Sequence, residues 1–152
     1  LCGWCKLVYE GKNYQMVSMH ITYQGKNKSM AVHDSSGTVI YTDAPVDVGG
    51  GGSSFSPTDL VATALATCVG TTMAMFADRH EIDLSGMQIH VTKEMFTGTP
   101  RRIGELKTTV TIPAGRVPAD KRELLERVGH TCPVYRSMSP EVLMPMEFIY
   151  ED

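Results

Sequence analysis

Between Asp59 and Asp78 the chain runs through Leu60-Val61-Ala62-Thr63-Ala64-Leu65-Ala66-Thr67-Cys68-Val69-Gly70-Thr71-Thr72-Met73-Ala74-Met75-Phe76-Ala77 without a charged residue. Ser56 suits an N-cap, because its hydroxyl accepts an amide that the first turn leaves unpaired. Pro57 suits the first helical position, where a missing N–H costs nothing. Asp59 puts negative charge at the positive end of the helix dipole, and Arg79 and His80 put positive charge at the other. The pattern predicts one long helix from Pro57 to about Ala77. Ala62, Thr63, Ala64, Ala66, Thr67, Gly70 and Thr71 spread small side chains over nearly every side, so burial all round is expected. Cys68 falls mid-helix and shares a face with Val61, Leu65, Thr72 and Met75 at about 100° per residue. The length would allow a membrane span, but the threonines and the charges just outside point to a core helix.

At 152 residues the chain is large enough for a real core. A net charge of −3 with scattered basic residues leaves no surplus to neutralise phosphates, which argues against a nucleic-acid partner. No basic start followed by an apolar run marks a secretory signal. A cytoplasmic location is expected, where thiols stay free or pair transiently.

Four cysteines fall into two groups. Cys2 and Cys5 form a Cys-x-x-Cys with no strand before it, and no second ligand pair has zinc spacing, so this motif is read as incidental. Residues 1–15 are read as a leader or tag-like segment ahead of a single domain spanning 16–152. In that domain, 17–23, 29–33 and 38–42 alternate as three strands separated by turns at Gly25-Lys26-Asn27 and Asp34-Ser35-Ser36-Gly37. Gly49-Gly50-Gly51-Gly52 lacks the Gly-Lys-Ser/Thr ending of a phosphate loop and is read as a flexible lead into the helix. Beyond the helix, 87–95 and 103–112 are two more strands. Residues 118–128 are an amphipathic helix with Leu124, Leu125 and Val128 inward, and 142–150 is a last strand. This order predicts an α+β fold with antiparallel sheet packed on the central helix.

Cys132 stands in His130-Thr131-Cys132-Pro133-Val134-Tyr135-Arg136-Ser137. A residue before proline is pushed out of helical geometry, so the preceding helix breaks here and a short new one starts at Pro133. As its N-cap, Cys132 would face free amides that lower a thiol pKa, with Arg136 one turn on.

Taken together, Asp43-Ala44-Pro45, the glycine-rich loop, Ser56-Pro57-Thr58-Asp59-Leu60 running on to Cys68, and Cys132-Pro133-Val134-Tyr135-Arg136-Ser137 resemble the OsmC/Ohr family of thiol peroxidases. The resemblance covers about 16–150. It implies an intertwined homodimer with sheets enclosing two long central helices. It also implies an organic hydroperoxide reductase of oxidative-stress defence, in which Cys68 is peroxidatic and Cys132 resolving, reset by a dithiol such as a lipoyl protein. No metal or cofactor is implied. Only a thiolate attacks an O–O bond, so Cys68 needs a positive neighbour. Well-known members use an early arginine and a first-turn glutamate. Here no arginine precedes Arg79, and the glutamate position falls on Thr58 beside Asp59. Lys26 or Lys28, with Arg136, is expected to supply the charge. Two other readings compete: an OsmC-like protein without efficient turnover that binds an apolar ligand at the dimer interface, and a metal site built from Cys68, Cys132 and His130.

Overall fold

The computed structural model describes residues 16–151. The predicted leader at 1–15, with Cys2 and Cys5, lies outside them. The described residues divide between Ser54 and Phe55 into two compact units.

The first unit is an antiparallel meander of β1 (Met19–Gly25), β2 (Lys28–His33) and β3 (Val39–Asp43). Lys26 and Asn27 both take positive φ, the geometry of a two-residue hairpin whose twist matches the strands it joins. β1 is exposed along nearly its whole length, with Met19, Ile21 and Tyr23 among the uncovered side chains.

The glycine-rich loop after β3 is anchored rather than loose. The Asp43 carboxylate, almost wholly buried, accepts hydrogen bonds from the Gly51 amide (3.1 Å), the Ser53 amide (3.0 Å) and the Ser53 hydroxyl (2.7 Å). Lys28 Nζ stands 3.5 Å from it. The Ser53 hydroxyl and amide hold Asp43 far below the usual carboxylate range. Burial opposes them, and the Gly51 amide and Lys28 add to them. Gly50 is obligatory, because a Cβ there would lie 1.7 Å from the Ala44 carbonyl oxygen.

The second unit is built on α1 (Pro57–Asp78). Ser56 and Asp59 form a reciprocal capping box: Ser56 Oγ accepts the Asp59 amide at 3.2 Å, and Asp59 Oδ2 accepts the Ser56 amide at 2.7 Å. α1 packs against β4 (Gln88–Met95), α2 (Ala119–Gly129) and α3 (Pro133–Ser137). These cover one side only. Ala62, Leu65, Ala66, Val69, Met73 and Ala77 are buried, whereas Ala64, Thr67, Thr71 and Met75 are exposed, so the helix is not buried all round within one chain. The hydroxyls of Thr63, Thr67 and Thr71 donate back to the carbonyls of Asp59, Thr63 and Thr67 at 2.8–2.9 Å. That pairing explains how an apolar helix carries them. Length and hydropathy alone would let α1 cross a membrane, and 33% of that stretch is buried against the rest of the chain.

β4 pairs antiparallel with β5 (Ile103–Ile112), and β6 (Met146–Tyr150) pairs with β5 in parallel. The parallel pairing departs from the antiparallel expectation. A hairpin forces strands to alternate, but β5 and β6 are joined through α2 and α3, a connection long enough to return parallel. Ile89, Val91, Lys93 and Met95 form the less exposed side of β4. Gly70 lets α1 approach the sheet closely, since a Cβ there would fall 2.8 Å from Ile89 Cδ1. Leu106, Val110, Ile112 and Leu125 complete the core.

Candidate active site

Cys68 is half-buried at the middle of α1, and Cys132 is fully buried; both are free thiols. Pro133 breaks the chain between α2 and α3 as the sequence predicts, leaving Cys132 as the N-cap of α3 with its Sγ accepting the Tyr135 amide at 3.3 Å. The packing of α3 on α1 brings the two thiols near enough to influence each other. They belong to one apolar cluster with Leu65, Val69, Val134 and Tyr135.

The expected acidity of Cys132 is reversed. Burial pushes its thiol up, and the Cys68 thiol beside it pushes the same way by hydrogen bonding and charge. The Tyr135 and Val134 amides pull back without prevailing. A helix of five residues aligns too few peptide dipoles to offset a fully desolvated sulfur.

The supporting residues divide between the two units. Lys26 sits exposed in the first hairpin, and Lys28 is engaged by Asp43 and by Ser53 Oγ at 3.1 Å, all within the first unit. Arg136 is exposed on α3. Thr58 and Asp59 lie in the first turn of α1, held by a residue that sequence reasoning missed. Lys93 Nζ donates to Asp59 Oδ1 (2.5 Å), Thr58 Oγ1 (2.8 Å) and, more weakly, Ser56 Oγ (3.4 Å). Desolvation works against the Asp59 carboxylate, yet hydrogen bonds from Lys93 and Ser56 outweigh it and hold the group below its usual range. One signal in the sequence was available: Lys93 is a charge at an inward position of an alternating strand, after Ile89 and Val91.

Among the described residues no group of three His, Cys, Asp or Glu side chains is placed to hold a metal. His130 caps α2 and makes edge contacts with the rings of Tyr135 and Phe148. A separate groove of about 450 Å³ is lined by Phe96, Arg102, Glu141 and Leu143, none of them a predicted site residue.

The family model for OsmC-like protein matches residues 50–145. A crystal structure from Psychrobacter arcticus, named for osmotic stress induction and detoxification response, is 36% identical. It superposes with a TM-score of 0.82 over 90% of this chain and 98% of its own. An organic hydroperoxide resistance protein OsmC from Legionella pneumophila is 16% identical, with a TM-score of 0.70 over 91% of this chain and 99% of its own. One from Elizabethkingia anophelis is 14% identical, with a TM-score of 0.74 over 92% and 99%. At that identity the last two bear on the fold alone. No curated protein matches the chain in sequence.

Proposed function

Since the chain belongs to the OsmC-like protein family, we propose that it is a cysteine-based peroxidase that reduces organic hydroperoxides to alcohols in oxidative-stress defence. The observation that carries this reading is the placement of Cys68 and Cys132 on packed helices inside one apolar cluster. The Cys68 thiolate attacks the terminal peroxide oxygen, the O–O bond breaks, and the leaving alkoxide takes a proton to become the alcohol. Cys68 is left as sulfenic acid. Cys132 sulfur then attacks Cys68 sulfur, the S–S bond forms, and the hydroxyl leaves as water. A dithiol, such as a reduced lipoyl group carried on a protein, exchanges with the disulfide and restores both thiols. Apolar walls favour fatty or aromatic hydroperoxides over hydrogen peroxide.

The working unit in this reading is a cytoplasmic homodimer. The exposed strip Ala64, Thr67, Thr71 and Met75 supports it: Thr67 and Thr71 are already paired internally, so a second copy covers them without stranding a polar atom. The test of activity is steady-state turnover of cumene hydroperoxide with dihydrolipoamide against thioredoxin and glutathione. Consumption with dihydrolipoamide is expected, and none with any reductant rejects the peroxidase.

One observation favours the second reading, an apolar-ligand protein without efficient turnover. Burial pushes the Cys132 thiol up, which leaves it less readily a thiolate. The same assay separates the two.

A further inference from the structure

Cys68 and Cys132 place two sulfur donors on packed helices in one apolar cluster, and the described residues add no third His, Cys, Asp or Glu. Such a site is incomplete for zinc, which takes three or four protein ligands. It is complete for a soft centre that brings its own third substituent and has two positions to exchange. We propose that the Cys68–Cys132 pair chelates trivalent organoarsenicals, locking the pair in a cyclic dithioarsenite. The proposal rests on the same two thiols as the peroxidase reading, but not on turnover.

Three features carry it. Soft sulfur donors select soft, thiophilic centres over hard cations. The two cysteines lie far apart in sequence yet are carried into one cluster by separate packed helices, so little ordering remains to oppose chelation. The surroundings are apolar, with Leu65, Val69, Val134 and Tyr135 in the same cluster, which suits an aryl substituent. Both sulfurs need only be thiols at the outset. Two S–H bonds and the arsenical's bonds to oxygen break, two As–S bonds form, and the thiol protons leave with that oxygen as water. Arsenic stays trivalent and neither sulfur is oxidised. Half-exposed Cys68 makes the first bond, and buried Cys132 closes the ring.

The test uses the full chain carrying Cys2→Ser and Cys5→Ser, which removes the other Cys-x-x-Cys. The reduced protein is titrated with phenylarsine oxide and read by intact mass and by iodoacetamide labelling. One equivalent is expected to add one phenylarsenic group and to block Cys68 and Cys132 together. A small dithiol should reverse this, and excess monothiol should not. Cys68→Ser and Cys132→Ser should each weaken binding by about 100-fold or more, as loss of a chelate arm does. Blockage of Cys68 alone, release by monothiol, or two thiols still open to iodoacetamide would overturn the proposal. Peroxide turnover, measured on the same untreated sample, reports separately on the peroxidase.

Discussion

Asp43 and Cys132 are both buried and differ in what meets them there. Asp43 receives three hydrogen bonds and a lysine, and its carboxylate is driven down. Cys132 receives an amide and another thiol, and its sulfur is driven up. Each gives an expected outcome. A carboxyl group depressed in the folded state contributes stability above the unfolded carboxylate range and loses it as pH falls toward the folded value. Asp43→Asn should therefore lower the thermal midpoint at pH 7, and the gap from the parent protein should narrow by pH 3; a gap independent of pH would contradict this. For the thiols, Cys132→Ser should allow one turnover and then hold Cys68 as sulfenic or sulfinic acid. Cys68→Ser should abolish turnover and leave Cys132 slow to alkylate, with its apparent pKa above the ordinary thiol value. Mass spectrometry after one equivalent of cumene hydroperoxide reads both variants. Sulfenic acid on Cys132 with retained turnover would exchange the roles.

At the scale of elements, α1 is fixed at its start and open along one side. Lys93 ties Ser56, Thr58 and Asp59 of its first turn to β4. Lys93→Met should destabilise the chain by about 1 kcal/mol, a modest value because the Asp59 side chain is 40% exposed and partly screened. Lys93→Arg should recover part of it, and urea unfolding measures both. The open side has a different test. Thr71→Lys places a charge in the middle of the strip assigned to the second copy and should shift sedimentation from dimer toward monomer; an unchanged dimer would move the interface elsewhere. The caps, proline and spacing of α1 were legible because they act within a few residues, and so was the break at Pro133. Lys93 was not legible as a partner of Asp59, since their contact depends on how β4 packs against the helix. The direction of the Cys132 shift was missed for a related reason: the N-cap is local, but the burial that outweighs it is tertiary.

The whole molecule shows the same division. The order of strands and helices, the α+β class and the family were readable from local patterns and from the two cysteine motifs. The parallel return of β6 and the anchoring of the glycine loop on Asp43 depend on long-range pairing, which spacing does not encode. The nearness of Cys68 and Cys132 has a consequence for the chain's lifetime. A disulfide there would close a loop of about 64 residues, and in the chain-entropy model that removes about 4 kcal/mol worth of freedom from the unfolded state. The oxidised protein should melt about 10 °C above the reduced one, and calorimetry of the two forms checks it; equal midpoints would show that strain cancels the gain. Proteases that cut the unfolded chain should then spare the oxidised molecules. Exposure to peroxide would thus lengthen the survival of the copies that have met it, and a shortage of reductant would leave a pool that is inactive but durable, ready to be recharged.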